Sequence, residues 1–545
     1  MNQKRFLMKG TLLLTVMGLL TRVAGFFYKI FLSRTIGASE IGLYQMAIPV
    51  FSFCSALCGG GIQTAISKLT AKYHARRSQS GAKQALFAGL FLSLSLSVIL
   101  MAALYFGTEL IAERILLEKS CAGLLKIMAF SLPFSMIHGC ICGYFMGTKH
   151  IVPPALAQFA EQIVRILFVV LAYTLSFKKG RQTDASLMAF GALAGEAASA
   201  IYCVVCLFIL SSRNFQPENP ASADMSFSGK LSSLHLTKHR IITSLRSIPN
   251  IPSLLRKWGA FRHQFIASVR QILPISVPLS LNRTLMCVLQ AIEAALLPQI
   301  LRLSGLTASE ALSVYGTLTG MALPMILFPT AITSALGMLL LPTVSEAQAL
   351  HQQNQLARTV NASFLGSLLL GSFCLGGFLL FGSEIGSILF QNAFAGTCIR
   401  RLALLCPLIY ISTTLTSILH GLGKSTVLLL WNLGGFALRL LCVICLVPPY
   451  GISGYLFGLL LDQTLLAGCI LFSLYRQNIL TVSIPGALTR MFFPAVTAGG
   501  CTFLFFLLSA QKIPAQICLI IGGGIYCIIF LLTVLPAFTG SAASE

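Results

Sequence analysis

The feature that most constrains this chain is a series of apolar runs, each about 20 residues or longer, recurring from Leu7 almost to the C-terminus. Hydrocarbon offers no partner to backbone N–H and C=O groups, so continuous runs of this length must pair them internally, as helices. Polar punctuation separates fourteen runs, at 8–32, 41–67, 84–106, 121–146, 152–176, 186–211, 270–300, 311–340, 359–381, 400–421, 425–447, 451–474, 490–510 and 514–537. With 56% hydrophobic and 10% charged residues in a chain of 545, no water-soluble core could bury this much apolar surface. The expected fold class is an all-α polytopic membrane protein of about 14 transmembrane helices. The opening MNQKRFLMKG resembles a signal peptide, but the apolar run behind it is too long and lacks a small-x-small cleavage site. It reads as a retained first helix.

Charge supplies the orientation. The formal net charge is +23, from 38 Lys+Arg against 15 Asp+Glu. A basic balance often signals nucleic-acid binding, yet here the cations gather in alternate connections, five in 68–83 and nine in 212–270. That is the positive-inside pattern of a membrane protein and argues for no nucleic-acid partner. Both termini are then cytoplasmic, and the acidic stretch ELIAERILLEK lies outside. The long connection opens polar and Pro-rich, then places Arg256, Lys257, Arg262 and Arg270 beside Leu254, Leu255, Trp258, Phe261 and Phe265. This suits an amphipathic helix on anionic membrane lipids; the alternative is a flexible linker carrying positive-inside charge.

The chain also repeats itself. RTIGASEIGLYQMAIPVF, after the first run, is echoed by RLSGLTASEALSVYGTLTGMALPMILF after the seventh. Arg34, Gly37 and Tyr44 find partners in Arg302, Gly305 and Tyr315, and the Ala-Ser-Glu triplet recurs at 308–310. A constant offset of 274 pairs Pro133 with Pro407, Gly147 with Gly421 and Arg165 with Arg439. Six spans separate the copies, so they share orientation and form a parallel repeat about the membrane normal. Two six-helix lobes around a central cavity are expected: an N-lobe at 1–211, the basic loop at 212–269, a C-lobe at 270–474, and two further helices with a tail at 475–545.

Charges inside spans mark candidate sites, because a central Arg or Lys costs roughly 2.5–3.5 kcal/mol unless it snorkels, pairs or meets water. Gly18, Arg22, Gly25 and Lys29 are spaced 4, 3 and 4 and form one helical stripe. Arg22 is too deep to snorkel, and the stripe reads as cavity lining, with an interhelical ion pair as the alternative. Lys29 lies near the outer end and can snorkel. Arg283, behind Pro274 and Pro278, which loosen the start of the seventh span, reads as a second cavity cation. Glu161 and Arg165, at i and i+4, are expected to pair. Glu196 follows Gly191-xxx-Gly195, a packing signature. Glu293, Arg439 and Asp462 are further in-span charges, and the last two are expected to pair across spans 11 and 12.

Several chemistries find no support. His138 and His420 read as structural. The 17 cysteines look like small buried hydrophobes, and Cys203/Cys206 has metal or redox spacing without ligands nearby in sequence. No metal site, cofactor or catalytic residue is expected. GLGKST at 421–426 has the wrong spacing for a phosphate-binding loop, so ATP is not expected to drive the protein directly. A coupling ion, Na⁺ or H⁺, finds no clear ligand set beyond Glu196 and Asp462. Cavity cations imply an anionic substrate, phosphate or pyrophosphate.

TRVAGFFYKIFLSRTIGASEIGLYQMAIPVF, GIQTAISKL, EQIVRI and YGTLTGMALPMILFPTAITSAL resemble the stage V sporulation protein B family of spore-forming bacteria. It is a polysaccharide biosynthesis (oligosaccharide flippase) group of the multidrug/oligosaccharidyl-lipid/polysaccharide exporter superfamily, related to the lipid II flippase MurJ. The resemblance implies a bacterial plasma-membrane transporter, not an enzyme. Its implied cargo is an undecaprenyl-pyrophosphate-linked saccharide of peptidoglycan or spore-cortex synthesis, moved to the outer leaflet by alternating access, with cell-wall synthases as partners. The SRVLGF segment of MurJ matches Thr21 to Phe26, which carries the cavity arginine over to Arg22. The chain departs from MurJ where an Arg-Asp pair is replaced by Tyr28-Lys29, and where paired arginines are replaced by Phe53 and Cys54. The alternatives are a cation-coupled multidrug exporter, which favours cavity carboxylates, and a membrane-embedded transferase. The latter needs a carboxylate or His cluster, for which Glu109, Glu113 and Glu118 are an ordinary amphipathic pattern. The topology is testable. An impermeant thiol reagent added outside should label Glu113→Cys and spare Arg76→Cys, and the opposite pattern would invert the orientation.

Overall fold

The computed structural model describes residues 2–76, 78–178, 183–212, 251–509 and 515–542, and among these the chain is helical with no strand. The first half comprises α1 (Asn2–Thr35), α2 (Ala38–Gly59), α3 (Ile62–Ala75), α4 (Gln79–Leu110), α5 (Cys121–Ala129), α6 (Ser131–Gly147), α7 (Val152–Lys178) and α8 (Ser186–Ser212). The second comprises α9 (Ile251–Leu303), α10 (Ala308–Gly316), α11 (Leu323–Leu327), α12 (Thr330–Ala349), α13 (Gln353–Leu389), α14 (Ala393–Leu402), α15 (Leu405–Gly421), α16 (Ser425–Tyr450) and α17 (Ile452–Arg476). A π-helical turn at Thr317–Ala322 joins α10 to α11. Then follow α18 (Ile484–Ser509) and α19 (Ala515–Ala542).

Thirteen described helices are long and apolar enough to cross a membrane, and two bent pairs raise the number to fifteen. The chain is a multi-pass membrane protein. The excess over the fourteen runs comes from 308–349, parted into two helices at Phe328-Pro329. This stretch ends 274 residues after the broken span Ala38–Ala75, its repeat partner, so it is likewise one broken span and the fourteen runs stand. Pro329 has no N–H to donate and its ring crowds the preceding turn. At this break the Ile326 carbonyl accepts from the buried Tyr410 hydroxyl, 2.8 Å away. Conversely, Pro274 and Pro278 do not break the seventh span, since α9 runs unbroken from Ile251 to Leu303. The broken helix beside the cavity is the second, at Gly59-Gly60-Gly61. There Gly61 N–H donates to Ser280 Oγ of α9 at 2.9 Å. The proposed basic surface segment falls partly at 213–250, outside the described residues; its last part, 251–269, is continuous with the seventh span. Phe265 packs against Phe87 and Phe91 of α4.

The duplication governs the backbone. Gly37 and Gly305, paired in the sequence echo, both take positive φ, 95° and 102°, and the Ala-Ser-Glu triplets behind them open α2 and α10. At the offset of 274, Leu117 and Gln391 share positive φ, as do Lys149 and Gly423. α5 and α6 meet at a 42° bend, and α14 and α15 at 59°. The repeated acid of the triplet has diverged. Glu310 closes a capping box with Thr307, whereas Glu40 accepts the Ala185 N–H that leads into α8.

The halves also meet closely at the end opposite the N-terminus. A Cβ on Gly42 would lie 2.2 Å from Leu312 O, and one on Gly316 would lie 2.0 Å from Ala38 O. These two glycines are again 274 apart. The echoed arginines reach across to the other half: Arg34 donates to the Leu389 and Ile388 carbonyls, both at 2.7 Å, and Arg302 pairs with Glu118. That end is therefore closed by a quasi-symmetric latch. α18 and α19 lie against α13, where the Tyr526 hydroxyl donates to Phe373 O at 2.8 Å and its ring joins Phe381 and Phe530.

Glycine tolerance tests this packing. A Cβ on Gly61 would sit 2.0 Å from Ser276 O, while one on Gly18 meets nothing within 4 Å. In thermal unfolding of the detergent-purified protein, Gly61→Ala should destabilise by about 1–3 kcal/mol. Gly18→Ala should change stability by no more than about 0.5 kcal/mol.

Candidate functional site

A cavity of about 1120 Å³ lies between the halves. That exceeds the roughly 300–1,000 Å³ that holds a drug-sized ligand. Its first-half walls are the middle of α1 (Gly18, Arg22), the α2–α3 break (Ser55, Gly60, Gln63), His138 of α6, Gln158, Glu161 and Gln162 of α7, and Glu196 of α8. The second half supplies Asn282, Arg283 and Gln290 of α9 and Ser334 of α12. These positions lie toward the end bearing the N-terminus, because α6 finishes there and α7 begins there.

Of the three candidate cavity cations, Arg22 and Arg283 are in the wall and Lys29 is not. Arg22 is exposed to the cavity and donates to Ser334 Oγ of the other half at 3.2 Å. Arg283 lies over the helix break, its Cδ 3.2 Å from where a Gly60 Cβ would be. Neither has an ion-pair partner among the described residues. Of the stripe, Gly18 lines the cavity with Arg22, and Gly25 brings α1 against Gln162, whose Nε2 would be 3.3 Å from an added Cβ. Lys29 is half-buried farther along α1 and takes no part in the wall.

The remaining in-span charges gather into two centres, one in each half. In the first, Arg165 pairs with Glu161 on α7. Gly195 of α8 has room for no side chain against them, since a Cβ would lie 2.8 Å from Glu161 O. This close packing brings Glu196 to the same point, and His138 Nδ1 lies 3.9 Å from both carboxylates. In the second, Arg439 reaches Asp462 at 3.2 Å and Glu293 at 2.9 Å. The Tyr455 hydroxyl donates to the other Glu293 oxygen at 2.7 Å, and the guanidinium lies 4.1 Å over the Phe436 ring.

The centres are repeat partners that have diverged. Arg165 and Arg439 correspond at 274, and Glu196 and Asp462 are each the eleventh residue of α8 and α17. Where the first half has Glu161, the second has Gly435, and Asp462 Oδ1 fills that space, 2.3 Å from a hypothetical Cβ. The second carboxylate there comes instead from α9. The first centre therefore faces the cavity, while the second is enclosed among helices and contributes nothing to the wall.

His138 is the wall residue that a structural reading of the histidines overlooks. Its repeat partner is Ser412, and that mismatch is the one sequence signal that marks it. Nor is Cys203 without ligands, because helix packing brings His138 and Cys142 to it, with the two thiols 3.7 Å apart. His138 thus belongs to two triads, one with Cys142 and Cys203 and one with Glu161 and Glu196, each with donor atoms within 4.8 Å. Arg165 already occupies one Glu161 oxygen and opposes a divalent ion in the carboxylate triad. His420 ends α15, its Nδ1 2.8 Å from Ser425 Oγ.

Residues 7–348 match the family described as polysaccharide biosynthesis protein. The chain belongs to that family. Stage V sporulation protein B of Bacillus subtilis (strain 168), a similar relative, is 26% identical over 483 residues, 88% of this chain and 85% of the relative. Among solved structures, the lipid II flippase MurJ in an inward closed conformation superposes with a TM-score of 0.65 at 13% identity, covering 98% of this chain and all of that one. An inward-facing multidrug resistance MATE transporter of the MOP superfamily gives 0.61 at 14% identity, over 86% and 98% of the two chains. This member of the polysaccharide biosynthesis protein family thus has the two-lobed MOP fold.

The enclosed centre makes a stability prediction. Arg439→Leu leaves Glu293 and Asp462 uncompensated, and should destabilise the purified protein by about 3–5 kcal/mol. Tyr455→Phe removes one donor and should cost about 1–3 kcal/mol in the same unfolding measurement.

Proposed function

We propose that the chain is a flippase for an undecaprenyl-pyrophosphate-linked saccharide, lipid II or a related precursor of spore-cortex peptidoglycan, carried from the inner to the outer leaflet by alternating access. The observation that supports this most directly is that Arg22 and Arg283, from opposite halves, lie in one large cavity with no ion-pair partner among the described residues. Guanidinium groups bind pyrophosphate oxygens through charge-assisted, bidentate hydrogen bonds. The amide side chains of Gln63, Gln158, Gln162, Asn282 and Gln290 suit a saccharide, and the apolar outer helix surfaces suit a polyprenyl tail left in the bilayer. In the positive-inside orientation the cavity faces the cytoplasmic leaflet. Transport then requires the latch of Arg34, Arg302, Gly42 and Gly316 to part as the halves rock. The names borne by the relatives, a sporulation protein and a lipid II flippase, agree with this reading. On it, the basic stretch at 251–270 meets anionic lipids, and cell-wall synthases take up the product.

A cation-coupled multidrug exporter is the second reading, favoured by the carboxylates Glu161 and Glu196 in the same wall. Reconstitution in liposomes separates the two. Labelled lipid II should reach the opposite leaflet. Arg22→Ala and Arg283→Ala should each lower that rate about tenfold or more, as expected for losing one charged hydrogen bond of about 1.5–3 kcal/mol, with unfolding behaviour unchanged. Full activity of Arg22→Ala would remove it from the mechanism, and export of a lipophilic cation without lipid II movement would favour the second reading.

A further inference from the structure

The two charge centres carry the same formal imbalance, one arginine against two carboxylates, but they resolve it differently. In the second half Tyr455 completes the hydrogen bonding of Glu293 and the centre is closed off. In the first half Glu196 Oε2 is shielded from solvent yet accepts no hydrogen bond, and it lies in a wall open to the cavity. The nearest group able to supply a proton is His138, placed 3.9 Å from Glu161 Oε2 and from Glu196 Oε2 alike. A carboxylate in a poorly solvated site without a donor is costly, and one added positive charge balances this centre.

We propose that His138, Glu161 and Glu196 form a proton-binding site, in which one proton taken from the cavity is held on the imidazole between the two carboxylates. The proton comes from cavity water and returns to it, with no bond to heavy atoms made or broken. The titratable and charged groups packed around His138 are Glu161 and Arg165 of α7, Glu196 and Cys203 of α8, and Cys142 of its own helix. Tyr44 of α2 and Tyr28 of α1 lie beside Arg165. Phenols and thiols are ordinarily neutral near pH 7, so Arg165 is the fixed cation and one negative charge is left for the proton. Imidazole is the side chain suited to exchange a proton in that range. The second-half centre lacks this ability because Ser412 stands where the first half has His138. On the flippase reading, to which this adds a driving ion, the site is where a proton gradient acts.

The test is an infrared pH titration of the full chain reconstituted in liposomes without any lipid-linked substrate. Between about pH 5 and 8, imidazole and carboxylate bands should titrate together. They should be lost from His138→Gln, their carboxylate part should be lost from Glu196→Gln, and exchange of sodium for choline should leave them unchanged. Wild-type bands in His138→Gln overturn the proposal, as do bands that respond to sodium and not to pH, which would mark an alkali-metal site. If His138→Gln does not fold, the isosteric Glu196→Gln decides, and wild-type bands there overturn the proposal equally. Because no substrate is present, the proton site and the flippase reading fail separately: intact bands with no lipid II movement support the site and remove that reading.

Discussion

A guanidinium in a bilayer must be paired or wet, and the structure is organised around four that meet this demand differently. Leaving one unpaired in hydrocarbon costs several kcal/mol, a large share of a stability near 5–15 kcal/mol for a typical domain. Arg439 is paired twice and stacked on Phe436, so its helices close tightly around it. Arg165 is paired once, on its cavity side, and its neighbourhood stays open. Arg22 and Arg283 have no ion-pair partner among the described residues, and between them the two halves keep a cavity of about 1120 Å³. The cavity is thus the solvation of charges that packing does not neutralise.

Gene-scale duplication explains why these solutions come in related pairs. The same offset that relates Arg165 to Arg439 relates the helix bends, the positive-φ turns and the crossing glycines Gly42 and Gly316. A parallel repeat places equivalent contacts on both sides of a quasi-two-fold axis, so the closed end is held by two similar latches. Divergence then sets the two copies apart. Glu161 against Gly435, and His138 against Ser412, turn one copy toward the cavity and leave the other as a structural anchor between α9, α16 and α17.

Much of this was legible in the sequence, for identifiable reasons. Spans, repeat and the i, i+4 pair Glu161–Arg165 depend on spacing alone, and spacing is a property of one helix. The pairing of Arg439 with Asp462 was inferable because two opposite charges sat at matching depth in successive helices. Breaks were harder to place. Pro274 and Pro278 promise one, yet α9 passes through both, while the glycine triplet at 59–61 yields where α9 presses against it. Proline removes one hydrogen bond, but packing decides whether the helix stays straight. The placement of Glu196 was hidden because Gly195, read as packing, is what carries Glu196 to His138.

By itself, the sequence determined a multi-pass helical chain, its internal duplication and the cationic stripe on its first helix. These follow from hydrophobic length, from periodicity and from the cost of a buried charge, all local quantities. Only the tertiary structure decided which charges are enclosed and which face the cavity. It also brought Arg22 toward Ser334, Glu293 to Arg439 across 146 residues, and His138 between two carboxylates on separate helices. Those outcomes rest on how closely helices approach, set at single points such as Gly61, Gly195 and Gly435 by the absence of a side chain.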